Sequence, residues 1–170
     1  MNKYTTDIET NAEIARQSES IAQCILQQLY PHSTFESIHD EQALWHYGDI
    51  MQDGWVYYDV KDDGCIAKTG NVFCELGKKW KYSGEKSDGW IKNGHYDYVC
   101  VLDQISCKMY VLDFRALKKV YREGRYISGI DLGDNYTCGY IVTLNKLRKR
   151  GVIECEVQYQ HDVNGGIIIC

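Results

Sequence analysis

An α/β fold is what this sequence predicts, and three observations predict it. Apolar residues recur at helical spacing near the N-terminus, the middle of the chain carries short alternating or β-branched runs, and two later helical segments are interleaved with more such runs. A chain of 170 residues, 44% hydrophobic and 25% charged, fits one globular domain with interior enough for a sheet and two or three helices. No linker, internal repeat or low-complexity tract divides it.

The elements follow in order. Over residues 11–30, Ile14, Ala15, Ile21, Ala22, Ile25, Leu26 and Leu29 make one broad apolar face, an N-terminal amphipathic helix that Pro31 stops. Residues 32–47 read as an irregular connector with a short helix around residues 40–45. Within it, His46 either lies beside Asp49 or serves as a hydrogen-bonded structural histidine. Two short strands then flank Asp53-Gly54, a strong hairpin signal. Asp62-Asp63-Gly64 is a turn leading to a loop at residues 68–71, residues 72–76 are a strand, and residues 78–92 a basic, glycine-punctuated loop. Residues 96–102 and 108–114 alternate as strands, and residues 115–123 form a short helix ending at Gly124. Residues 140–143 form a short strand, residues 144–150 a last helix stopped by Gly151, and residues 152–170 two strands around Asn164-Gly165-Gly166.

The chemistry concentrates in residues 48–61. Successive strand residues project to opposite faces, so Asp59 and Lys61 share a face while Val60 enters the other layer. The hairpin returns the Asp49 strand beside them. A strict two-residue loop would pair Asp49 with Tyr58 and turn its carboxylate away from Asp59, because a one-residue slip reverses every side chain. Convergence therefore requires a three-residue loop or a bulge, and one is predicted. Two carboxylates with water suit Mg²⁺ or Mn²⁺, while an adjacent lysine orients or helps deprotonate a water and offsets phosphate charge.

Asp49, Asp59 and Lys61 resemble the active site of the PD-(D/E)XK nuclease superfamily, in which an Asp begins one strand and a (D/E)-x-K triplet lies on the next. Gly48 stands before Asp49 where a proline is often found. Thr69 to Leu76, Gly89-Trp90 and Tyr96 to Val101 look like a phage or mobile-element branch, and the resemblance covers roughly residues 10 to 150. It implies a restriction-endonuclease-like fold with a central mixed sheet of four to five strands flanked by helices, and Mg²⁺ or Mn²⁺ held by Asp49 and Asp59. It also implies supporting acids. Glu19, at the border of the helix's apolar face, is either a peripheral metal or water ligand or an exposed helix glutamate; Glu75 either caps a strand end or joins as a further metal ligand.

The net charge of −5 hides an asymmetry: residues 1–63 hold 12 acidic and 3 basic residues, a net of −9, and residues 64–170 hold 12 acidic and 16 basic, a net of +4. Candidate nucleic-acid contacts in the basic part are Lys68, Lys78, Lys79, Lys81, Lys118, Lys119 and Arg122, interleaved with Trp80, Tyr82, Tyr121 and Tyr126; a solvated helix face is the competing reading for any one cluster. The eight cysteines show no C-x-x-C pair and no zinc spacing, which points to buried free thiols in a reducing cytosol. No apolar run reaches membrane-spanning length, and residues 1–11 lack the design of a signal peptide, so a cytoplasmic protein is expected. The leading expectation is a metal-dependent nuclease, with DNA favoured over RNA by family analogy and a homodimer compatible with duplex cutting. The alternative is a binding or inhibitor protein on the same fold, whose acidic half would meet nucleic acid or a basic protein partner.

Overall fold

The apolar stripe near the N-terminus folds as helix α1 (Ile8–Leu29), and it buries Ile21, Ala22, Ile25 and Leu26 against one face of a sheet. The computed structural model describes residues 8–40, 44, 47–64 and 66–170. Apart from Asp40 and Leu44, the helix expected over residues 40–45 lies outside these, and so does His46. The chain continues through β1 (Phe35–Ser37), β2 (Ile50–Gln52), β3 (Val56–Asp62), α2 (Ile66–Thr69), β4 (Asn71–Trp80), β5 (Lys86–Asp88) and α3 (Trp90–Asn93). It then forms β6 (Tyr98–Asp103), β7 (Lys108–Asp113), α4 (Phe114–Val120) with a 3-10 turn over Tyr121–Glu123, β8 (Arg125–Asp131), β9 (Asn135–Thr143), α5 (Leu144–Lys149), β10 (Ile153–His161) and β11 (Ile167–Ile169).

The fold is mixed α/β, as the sequence predicts, but it carries more strands than expected. Seven strands in the order β1-β2-β3-β6-β7-β10-β11 form one sheet, in place of the expected four to five, and β5-β4-β9-β8 form a second. Within the first sheet β3 and β6 run parallel and the other neighbours antiparallel. A parallel neighbour requires a crossover, and here the crossover from β3 to β6 contains the β4–β5 hairpin. The β8–β9 hairpin is a second excursion, between β7 and β10. The two excursions pair along β4 and β9. The strand carrying Glu75 therefore belongs to the second sheet, and the segment expected as a loop over residues 78–92 is the end of β4, β5 and the start of α3.

Both faces of the seven-stranded sheet are covered, which explains why β6 is buried along almost its whole length. Cys100 and Leu102 face α1 together with Ile50, Tyr58, Val60, Met109 and Val111. Val99 and Val101 face the other way, where Val72 and Cys74 of β4, Val142 of β9, and Phe114, Leu117, Leu144 and Leu147 of α4 and α5 complete a second core. Each fully buried side chain of this kind contributes about 1.5–3 kcal/mol relative to exposure. Asp113 and Thr143 cap α4 and α5, accepting hydrogen bonds from the amides of Ala116 (2.8 Å) and Lys146 (3.1 Å). No helix among the described residues is long and apolar enough to cross a membrane.

Candidate active site

The β2–β3 hairpin has the three-residue connection that convergence of the two carboxylates requires. Gln52 pairs with Val56, Met51 with Tyr57 and Ile50 with Tyr58, leaving Asp53, Gly54 and Trp55 in the turn. Asp53 and Gly54 both take positive φ, 52° and 81°, a conformation that Asp tolerates and Gly adopts freely. One step further along the same register, Asp49 lies opposite Asp59: its amide donates to the Tyr58 carbonyl (2.8 Å) and its Oδ2 accepts from the Val60 amide (2.6 Å). Ile50, Tyr58 and Val60 pack on the α1 side, so alternation sends Asp49, Asp59 and Lys61 to the opposite side.

Gly48 makes this approach possible. It has φ of 87°, and a Cβ there would stand 2.6 Å from the carbonyl oxygen of Tyr58. The close approach to β3 calls for a residue with no side chain at this position.

Lys61 ties the patch together. Its Nζ donates to Asp59 Oδ1 at 2.9 Å and stands 2.8 Å from Oδ2. That second contact is an ion pair without hydrogen-bond geometry, and Oδ2 is buried with no hydrogen-bonding partner. The hydroxyl of Tyr96 donates to the Trp90 carbonyl (3.1 Å) beside the same carboxylate; burial, reinforced by the charge of Asp59, raises its pKa far above the ordinary tyrosine range. Burial and the neighbouring charge of Asp59 push Asp49 up to about 7, against the opposing effects of Lys61 and the Val60 amide. Burial works against the Lys61 ammonium, but Asp59 and Asp49 outweigh it, and its pKa lies above the usual lysine value. At neutral pH the site therefore holds an ionised lysine and a carboxyl pair that shares repulsion.

The patch opens into a cleft of about 830 Å³ between the two sheets, with Glu75, Lys78, Trp90 and Arg125 also in its lining. Glu75 is not gathered with Asp49 and Asp59. It sits on the facing wall, where its Oε2 accepts from the Thr137 hydroxyl (3.1 Å) and its Oε1 lies 3.5 Å from Lys78 Nζ, and its charge reaches Lys61 across the cleft. Glu19 does not line the cleft; it lies near enough that the charges of Lys61 and Asp59 act on it, and burial raises its pKa. Among the described residues no three His, Cys, Asp or Glu side chains come together as a metal-holding group. What the site does offer is two convergent carboxylates, one with a buried oxygen lacking a hydrogen bond, and a repulsion that a cation would relieve. Such a donor set fits a hard divalent ion that keeps several of its waters.

Of the candidate nucleic-acid contacts singled out from the sequence, only Lys78 lines this cleft. Lys68 is exposed at the end of α2 and Lys79 on β4. Lys81 pairs with Asp131 (2.6 Å) and lies over the Tyr136 ring. Lys118 reaches the Gly94 carbonyl (3.4 Å) and the Phe114 ring beside a smaller cavity of about 410 Å³, Lys119 is exposed, and Arg122 donates to the Tyr121 hydroxyl (2.9 Å). The residue the sequence reading left out of the site is Arg125, which lines the cleft from β8 and makes no ion pair among the described residues. Phe73, Ile127, Ile130 and Ile141 accompany it. Their signal was the period-two run of residues 135–143, obscured on the partner strand by the bulge at Gly129. No family model matches this sequence, and no curated protein or solved structure resembles it closely enough to assign a relative.

Proposed function

We propose that this protein is a divalent-metal-dependent nuclease of the PD-(D/E)XK type, hydrolysing phosphodiester bonds and favouring DNA. The observation that carries the reading is the register of the hairpin, which sets Asp49 opposite Asp59 with Lys61 bound to Asp59 at the mouth of a cleft. The order of α1, the Asp49 strand, the hairpin and the Asp-x-Lys strand is the order of elements in that superfamily, and it supports a restriction-endonuclease-like core. In this reading β6, parallel to β3, is the next strand of the core.

Asp49 and Asp59 would hold Mg²⁺ or Mn²⁺, which when bound supplies Lewis acidity at the phosphate and a more acidic water. The chain's own residues do the rest. Lys61, paired with Asp59, orients a water and offsets charge growing on the phosphate oxygens. Lys61 holds the Asp59 carboxylate, and the Val60 amide of β3 holds that of Asp49. Asp49 must give up its proton as it becomes a ligand, so metal binding competes with that proton and weakens as pH falls below about 7.

The test is cleavage of labelled duplex, nicked and single-stranded DNA, with an RNA control, in Mn²⁺, Mg²⁺ or EDTA. Metal-dependent cutting by wild type that is lost in Lys61→Ala and Asp59→Asn supports the assignment. No cutting of any substrate by well-folded wild type refutes it and leaves a binding or inhibitor role on this fold.

A further inference from the structure

The wall facing the Asp49–Asp59 patch is built unlike a surface for duplex backbone. Cross-strand pairs share a face of a sheet, so the pairs Phe73–Ile141 and Arg125–Ile141 place these three side chains on one face of the second sheet. Ile127 pairs with Gly139 on that face, and past the Gly129 bulge Ile130 pairs with Thr137. Gly139 has a role of its own: a Cβ there would stand 2.8 Å from the Phe73 ring, so its missing side chain lets the ring lie against the sheet. Phe73, Ile127, Ile130 and Ile141 are all only partly buried and all line the cleft, as do Trp90 and Arg125, which makes no ion pair among the described residues.

The charges of the cleft point the same way. Its lining includes six carboxylates, Asp49, Asp59, Asp62, Asp63, Glu75 and Asp88, against Lys61, Lys78 and Arg125. Duplex DNA shows its partner mainly phosphates and base edges, and binding gains most of its strength from many cationic contacts. An acid-rich cleft with an apolar aromatic wall does not supply them. An unpaired base offers a flat face that stacks on aromatic and aliphatic side chains.

We propose that this wall is a docking surface for an unpaired nucleobase next to the bond to be cut, so that the substrate class is single-stranded nucleic acid, including unpaired ends and flaps. The inference rests on the nuclease reading for the position of the phosphate at the acidic patch. The base then lies on Phe73 and the isoleucines, and Arg125 meets a neighbouring phosphate.

The test is fluorescence anisotropy with a labelled single-stranded oligonucleotide, its duplex, and a strand of equal length with abasic sites, in Ca²⁺, beside the cleavage assay in Mn²⁺. The expected result is single strand bound about ten-fold tighter than either control, with a shallow salt dependence, and the preference lost in Phe73→Ala and in Ile127→Glu. Both variants are compared with wild type by thermal unfolding, and Arg125→Ala, remote from the core, weakens binding without changing the preference for bases. Equal binding of duplex or abasic strand, or no binding, overturns the proposal. Single-strand preference without cleavage supports the docking surface while removing the nuclease reading; cleavage of duplex and single strand alike does the reverse.

Discussion

The two faces of the seven-stranded sheet are made by the same strands and do opposite work. Toward α1, Tyr58, Val60, Cys100 and Leu102 lie in a dry core that the helix closes. On the other side β3 presents Asp59 and Lys61 to a cleft, one residue away from side chains buried in that core. The period of two lets a single strand be rigid on one face and chemically equipped on the other. The lesson is that the acidic patch is held by a core it does not touch, and that its own charges cost stability which the α1 face supplies.

The sharpest break of this comparison is Leu102→Ala. Leu102 is fully buried on the α1 face, so its truncation should cost about 2–5 kcal/mol while cleavage per folded molecule stays unchanged; urea unfolding beside single-turnover cleavage checks both. On the cleft face Lys61→Ala should do the converse, lowering the cleavage rate by about 10²–10³-fold with the fold intact. A comparable fall in both variants would mean that the faces are not separable. Gly48→Ala bridges the two. Its Cβ would meet the Tyr58 carbonyl at 2.6 Å with φ of 87°, so a loss of more than about 1 kcal/mol is expected together with a fall in activity as Asp49 is displaced; a variant as stable and active as wild type would refute the placement of Asp49.

The cleft face also carries a dependence on pH. The Asp49 carboxyl has a higher pKa in the folded protein, about 7, than its ordinary value of 3.8. The folded state therefore keeps the proton longer, and the stability this contributes is complete below about pH 4 and lost as pH rises through about 7. The difference in melting temperature between wild type and Asp49→Asn should shift in favour of the variant over that interval. A difference that stays flat would show that Asp49 titrates normally.

Much of the acidic patch was legible because parity is a strict constraint. Once Asp49 and Asp59 are assumed to converge, the number of residues around Asp53-Gly54 follows, and the turn has that number. The buried face of α1 was equally open, since four apolar residues at helical spacing leave no other stripe. The second sheet was not. β4 and β8 are interrupted by bulges at Leu76 and Gly129 that break the alternation, and the polar tail of β4 reads as a loop until β9 is there to pair with it. Glu75 accordingly reads as a neighbour of Asp59, and nothing local marks Arg125 as part of the site. Pairing between distant segments, such as Asn71 with Thr143 and Trp80 with Asn135, leaves no local mark on either segment.

Calorimetric titration of Mn²⁺ into wild type and into Asp49→Asn/Asp59→Asn, at pH 6 and pH 8, bears most directly on the central claim. The acidic patch predicts binding that is lost in the double variant, is tighter at pH 8, and releases a proton at pH 6, where Asp49 is still protonated. Equal binding by the two proteins, or none by wild type at either pH, would contradict it.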